Sequence, residues 1–316
     1  MSTDDAPRSL VAAAFERDLV VDRLLKASDD DLLRARGFHD DDRADVRLAM
    51  AAALDDPERL DEIGALAGRL AAAIGDFTGA DPFPPDDSNE HWRGIGVVPL
   101  LALLVVADDV VAFHRSRGIP DDISTRTLSD IGQQAWVHRR TYGAFGLHTY
   151  GWLRIAYSGA LYWLGRLQFN LTPVHDGWAL STHIPETGPL TPAAVQDSLR
   201  QAVDFFALHF PDYPTSQVQC DSWLLDPQLA EVLDAESNMV RFQRIWTLEG
   251  EPRLGDTDAL FFVFRVRADV DRSTLPRDTT LQRAVLDRLD AGGHWYLRRG
   301  TLEQAAIGHA ENEEEE

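Results

Sequence analysis

The chain predicts an α+β protein in which a bundle of helices precedes a mixed β-sheet with helices on its faces. Three observations carry that prediction. Apolar residues recur at spacings of three and four through the first 143 residues, the pattern of helices that bury one stripe. From Leu161 the spacing changes to two, the pattern of strands. Beyond that point strand and helix patterns alternate, which suits a sheet carrying helices. The division predicts a helical domain at 1–143, a sheet domain at 144–305 and a disordered acidic tail at 306–316.

In chain order, helices are expected at 12–25, 44–53, 57–74, 98–113 and 125–139. Turn residues separate them: Asp-rich 28–31, Asp55-Asp56-Pro57, and Gly118 with Pro120. The segment GADPFPPDDSNE at 79–90 reads as a loop. LYWLGRLQFNL (161–171) and GWALSTHIP (177–185) read as a hairpin across TPVHD. A helix follows at 191–210, then a strand QVQCDSWLL (217–225) and a short helix at 227–233. MVRFQRIWTL (239–248) and ALFFVFRV (259–266) read as two further strands. A last helix at 280–289 precedes GHWYLRR (293–299), expected as an edge strand.

Composition narrows the function. With 316 residues and 44% hydrophobic content the chain has ample material for one large or two moderate cores. A net charge of −22 without a cationic cluster argues against nucleic acid as a partner, because phosphate binding needs clustered Lys and Arg. Cys220 is the only cysteine, so no intrachain disulfide and no multi-cysteine metal site can form. No H-E-x-x-H or C-x-x-C pattern occurs, and no metal site is expected. The apolar run 97–107 is short of the ~20 residues that a membrane helix needs, and no membrane partner is expected. The opening MSTDDAPRSLV lacks a cationic lead and an apolar core, so a cytoplasmic location is expected. No Walker loop or dinucleotide fingerprint is present.

The most informative segment is HIPETGPLTP at 183–192, which runs from a strand end through a Gly/Pro loop into a helix. Trp178, Leu180, Thr182 and Ile184 alternate with Ala179, Ser181 and His183, and Pro185 closes the strand. Thr191 followed by Pro192 matches an N-cap hydroxyl and a first-turn proline. Such a helix start presents unbonded N–H groups and about half a positive charge, which favours a phosphate, carboxylate or oxyanion. An ordinary strand-to-helix connection has the same form.

From about Ser9 to Leu302 the chain resembles the bacterial acyltransferase-domain proteins that join an N-acyltransferase N-terminal helical domain to a GNAT-like C-terminal domain. The resemblance lies in FHRSRGIP (113–120), FGLHTYGWL (145–153), YWLGRLQF (162–169), HIPETGPLTP (183–192), DSWLLDPQL (221–229), SNMVRFQR (237–244) and TTLQRAVLDRLDAGGHW (279–295). It implies a GNAT-like mixed sheet, and acyl-CoA as co-substrate. In that fold a strand, its loop and the next helix hold the coenzyme pyrophosphate, and the pantetheine arm passes where this strand splays from its neighbour. The resemblance places these features at 178–184, 186–191, 191–210 and 217–225. Gly188, Leu190, Thr191 and Ala193 become the coenzyme-binding amides, with Ala194 beside them; Trp223 and Arg241 flank the cleft. The loop departs from the usual Q/R-x-x-G-x-G/A pattern, since it has one glycine, and Pro185, Pro189 and Pro192 remove three N–H donors.

Acyl transfer to an amine of a small molecule needs a base, donors for the oxyanion and an acid for the leaving thiolate. His183 and Glu186 are the candidate bases, and Ser222 the candidate donor to thiolate or carbonyl. Each has a structural alternative: His183 bonds a neighbouring strand, Glu186 pairs with an arginine, and Trp223 and Cys220 belong to the core. Arg166, Arg241 and Gln243 either face an anionic substrate or lie solvated at the sheet. His148, Tyr150 and Trp152 either line an acceptor pocket or pack. Two other functions fit the same residues: a catalytically silent GNAT-like binding module, and a hydrolase using Ser222, which lacks a G-x-S-x-G elbow.

Overall fold

The computed structural model describes residues 13–83 and 92–307. The start of the first expected helix, most of the 79–90 loop and residues 308–316 of the acidic tail lie outside them. The chain divides into two compact units, Met1–Tyr162 and Trp163–Glu316. The expected boundary at 143/144 lies before that division, and the intervening helix belongs to the first unit.

The first unit is helical: α1 (Arg17–Ala27), α2 (Asp30–Ala35), α3 (Asp40–Leu54), α4 (Pro57–Ala72), α5 (Val97–Ser116), α6 (Asp121–Leu128), α7 (Asp130–Tyr142) and α8 (Tyr150–Tyr157). Local chemistry sets the ends. Asp29 caps α2 by accepting from the N–H groups of Asp31 and Leu32, and Asp56 caps α4 ahead of Pro57. The expected helix 125–139 is two, α6 and α7, joined at Ser129. The Ser129 hydroxyl donates to the Arg126 carbonyl, the local bond by which a serine competes with the helical ladder. Gly96 starts α5 at φ +68°, and a Cβ there would meet the Leu147 carbonyl oxygen at 2.1 Å.

α5 is apolar on every side, as a helix surrounded by others must be. By length and composition it could cross a membrane, but 67% of its apolar window is buried in the unit. α1, α4, α6 and α8 pack on it, and Leu100, Leu101, Val105, Val106 and Val110 are fully covered.

Two histidines in this unit make its stability depend on pH. His114 is fully buried with Nδ1 2.7 Å from the Ser124 hydroxyl, and His138 is buried beside His148. Burial lowers both from 6.5 to about 4, with the charge of Arg36 adding to it at His114 and those of His148 and Arg139 at His138. Between pH 6.5 and 4 the unfolded chain takes up protons that the native unit refuses. Stability is therefore complete above about 6.5 and falls as the pH drops toward 4, by up to roughly 3 kcal/mol per histidine. Urea unfolding at pH 7 and pH 5 should show the loss. A His114→Phe variant should lose less, and an unchanged pH slope in it would remove His114 from the account.

The second unit carries the sheet, whose first strand begins in the last two residues of the first. Its elements are β1 (Leu161–Leu164), β2 (Leu167–Val174), β3 (Gly177–His183), α9 (Pro192–His209), β4 (Thr215–Ser222), α10 (Asn238–Arg244), β5 (Thr247–Leu254), α11 (Asp256–Phe264), α12 (Thr280–Asp290), β6 (Tyr296–Glu303) and α13 (Gln304–Ile307), with short 3₁₀ turns at Trp223–Leu225, Pro227–Glu231 and Arg272–Thr274. The strand order is β1-β2-β3-β4-β6-β5. β2 and β3 are antiparallel, β3 and β4 parallel, and β6 antiparallel to both neighbours, so the sheet is mixed. An α+β chain with a helical region followed by a mixed sheet and flanking helices is thus what the sequence folds into.

Several elements differ from expectation. The segment 239–248 is mainly α10, because Ser237 caps a helix by accepting from the Val240 N–H. The segment 259–266 is α11, with Asp256 and Asp258 in its first turn where carboxylates favour a helix. Short apolar runs suit either structure, and here the flanking polar residues decide. β5 is polar and mostly exposed, with a bulge between Glu249 and Arg253, so hydrophobic alternation does not reveal it. β5 is the edge, and β6 lies inside the sheet. Residues 306 and 307, expected in a disordered tail, end α13, and Ile307 is buried.

Candidate active site

The candidate site lies where β3 and β4 part. They are in register at Leu180↔Val218 and Ser181↔Gln219, and no later pair joins them among the described residues. β3 nevertheless continues to His183, and β4 to Ser222, which stays paired to β6 through Cys220↔Gly300, Asp221↔Arg299 and Ser222↔Arg298. The parting therefore opens at the carboxyl ends of two parallel strands, where α/β sheets bind ligands.

Register sorts the side chains. Gln168 faces His183 and Asn170 faces Ser181 across β2 and β3, while Gln219 lies level with Ser181, and Asp221 with Arg299. These residues share one polar face, although Gln168, Asn170 and Gln219 are buried. The other face carries Phe169, Leu171, Leu180, Val218 and Cys220, all buried. Two buried groups beside the parting have no protein partner: the Gln168 Nε2 and the Thr182 Oγ1. Register sets Gln168 opposite His183, while alternation turns Thr182 to the other face; a partnerless side chain is invisible before the fold is known.

His183 is the best-defined chemical group. The Asn170 amide donates from Nδ2 to the Leu171 carbonyl at 2.7 Å, which turns its Oδ1 toward His183 Nε2, 2.6 Å away. An amide oxygen only accepts, so Nε2 carries the hydrogen and Nδ1 the lone pair. Burial pulls the imidazole down to about 4, against the opposing charge of Asp221, and His183 is neutral at physiological pH. It can take a proton through Nδ1.

Glu186 lies just past β3 on the loop. Its Oε2 accepts from Arg265 Nε at 2.9 Å and Nη2 at 2.5 Å. Arg265 is itself buried, caps α11 at φ +56°, and lies over the rings of Phe261 and Phe262. Glu186 thus has the arginine partner that was its structural alternative. The Ser222 hydroxyl accepts from the Leu224 N–H at 3.1 Å, capping the 3₁₀ turn, and it lies on the face opposite His183. The two do not form a nucleophile–base pair. Cys220 is buried, and burial pushes its thiol far above the usual range.

The loop and helix start retain a donor set. Thr191 caps α9 by accepting from Ala194 at 3.3 Å, as the Thr-Pro signature requires. That leaves the N–H of Ala193 in the first turn, with those of Gly188, Leu190 and Thr191 before it, as donors on the segment that leaves β3. Gly188 is exposed at φ +92°, and Leu190 is buried. Arg166, in the β1–β2 turn, places its guanidinium under this loop. It donates to the carbonyls of Pro185 at 2.8 Å, Gly188 at 2.7 and 3.1 Å, and Pro189 at 3.3 Å.

Other sequence candidates lie elsewhere. Trp223 is in the core against Trp295, with ring centres 6.2 Å apart. Arg241 is on α10, not a strand, and pairs with Glu236; Gln243 donates to the carbonyls of Leu224 and Asp226. In the helical unit Trp152 donates to the buried Asp130, Tyr150 packs edge-on to Phe83, and His148 lies 3.1 Å from His138.

Comparison with known proteins agrees with this geometry. The family model of the GNAT-like C-terminal domain matches residues 161–302, and that of the N-acyltransferase N-terminal domain matches residues 27–159. The chain is similar to a solved acyltransferase in complex with decanoyl-CoA, at 35% identity and a TM-score of 0.80, over 86% of each chain. It is also similar to a mutant acyltransferase bound to octanoyl-CoA, at 33% identity, a TM-score of 0.79 and 86% of each chain. A third structure, an acyltransferase with decanoyl-CoA and teicoplanin, matches at 34% identity and a TM-score of 0.78 over 87% of each chain. Among curated proteins no match was found.

Proposed function

The chain belongs to the family of GNAT-type acyltransferases in which an N-acyltransferase N-terminal domain precedes a GNAT-like C-terminal domain, and from that premise we propose that it transfers a medium-chain acyl group from acyl-CoA to an amine of a small molecule. The single observation that carries this reading is His183, a neutral imidazole of fixed tautomer at the parting of β3 and β4. Solved relatives holding octanoyl- and decanoyl-CoA support the donor, and the one that also holds teicoplanin supports a small-molecule acceptor.

The neutral amine attacks the thioester carbonyl carbon and forms a C–N bond. Attachment makes the nitrogen's proton acidic, and His183 Nδ1 takes it; an imidazole held near 4 suits this stage better than an unreacted ammonium ion. The carbonyl re-forms as the C–S bond breaks. The departing coenzyme thiolate takes up one proton, which restores neutral His183 and balances the exchange. Asn170 keeps Nε2 protonated, so that the lone pair stays on Nδ1.

Thiol release from octanoyl- or decanoyl-CoA, measured with an amine panel that includes teicoplanin, tests the proposal. The expected result is saturable, acceptor-dependent release with formation of an amide. Absence of release, together with no acyl-CoA binding by calorimetry, would overturn it. Binding without release under every acceptor would favour a catalytically silent module.

A further inference from the structure

We infer that Arg166 is the positioning residue of the coenzyme's phosphate site, replacing with its side chain the glycine-rich backbone that this loop lacks; the inference rests on the acyl-CoA reading above. The loop has one glycine and three prolines, so its own backbone has little freedom to gather its amides on one side. Arg166 supplies the ordering from below. A single planar guanidinium collects three carbonyls, those of Pro185, Gly188 and Pro189, within 2.7–3.3 Å. In a trans peptide the C=O and the following N–H point opposite ways, so drawing the Pro185 and Pro189 carbonyls toward Arg166 turns the Glu186 and Leu190 amides away from it, while the Gly188 carbonyl precedes Pro189, which has no N–H.

The brace is anchored to the same helix that the loop enters. The Arg166 backbone N–H donates to the Ser198 hydroxyl at 2.6 Å, and that hydroxyl donates on to the Ala194 carbonyl in α9. Ser198 is fully buried. The turn sits so close to α9 that a Cβ on Gly165, at φ +62°, would lie 2.5 Å from the Ser198 oxygen. Arg166 thus joins the hairpin turn, the loop and the first turns of α9 into one rigid unit.

Charge points the same way. Arg166 bonds only neutral carbonyls among the described residues, and no carboxylate cancels it. The loop's own acid, Glu186, is cancelled by Arg265. A net positive charge therefore lies beneath the loop that carries the Glu186 and Leu190 amides, in a protein whose total is −22. A diphosphate placed there meets donors on its near side and a cation behind them.

The test compares decanoyl-CoA with decanoyl-pantetheine, which has the same thioester and arm but no diphosphate. In Arg166→Ala, kcat/KM should fall at least about tenfold more with decanoyl-CoA than with decanoyl-pantetheine, mainly through KM, and CoA binding by calorimetry should weaken in step. Arg166→Lys keeps the charge but not the fork, and should recover part of the loss. Equal losses on both substrates would mean that Arg166 merely supports the fold and would overturn the inference, as would equal CoA affinity in wild type and Arg166→Lys and Arg166→Ala. Failure of the wild type on both thioesters would instead remove the acyl-CoA reading, and this inference with it.

Discussion

Replacing His183 with glutamine should lower kcat by about 10²–10⁴-fold, the range lost when a positioned general base is removed. Glutamine can keep a hydrogen bond to Asn170, so the fold should hold and the loss should appear in turnover rather than in acyl-CoA binding. The pH profile gives a second reading. His183 titrates near 4 because it is buried, and it accepts a proton only above that value. Wild-type kcat/KM should therefore be insensitive to this group at neutral pH and decline as the pH falls through about 4, to the extent that the fold survives. A glutamine variant within threefold of wild-type kcat would exclude His183 as the base, whatever its geometry.

Trp295→Ala should destabilise the sheet unit by about 3–5 kcal/mol, the range for removing a buried aromatic that leaves a cavity. Trp295 is fully covered and meets Trp223 edge-on at 79°. The Arg288 guanidinium lies 4.8 Å from its ring centre, and its indole N–H donates to the Val285 carbonyl at 3.3 Å. Leu229, Leu260, Leu286 and Leu289 complete the cluster. The ring thus ties α11, α12 and the 3₁₀ turns to the start of β6, the strand that supports β4 at the parting. Chemical unfolding followed by fluorescence should show the loss, with Trp295→Phe retaining more than half of it. A change below about 1 kcal/mol would mean that the cluster closes over the gap.

Particular residues show how far the sequence could be read. The Thr191-Pro192 signature located α9 to within a residue, because an N-cap is local chemistry. Alternation puts His183 on the face opposite Leu180, and the strand register keeps it there. The sequences of α10 and α11 read as strands because Val240 and Phe242, or the run Ala259 to Phe264, satisfy both periods over so few residues. β5 is not legible in the sequence because an exposed edge strand has no hydrophobic side to alternate.

Two kinds of information are therefore separate in this protein. The change of period, the caps, the helical unit followed by a mixed sheet, and the His183 to Pro192 segment follow from residues within a few positions of one another, since periodicity and capping act over one or two turns. The place of β6 between β4 and β5, the Asn170 bond that sets the His183 tautomer, the Glu186–Arg265 pair across 79 positions and the Arg166 brace under the loop depend on residues brought together from distant parts of the chain. Side-chain hydrogen bonds act only within about 3 Å, and no spacing along the chain foretells which distant groups will come that close.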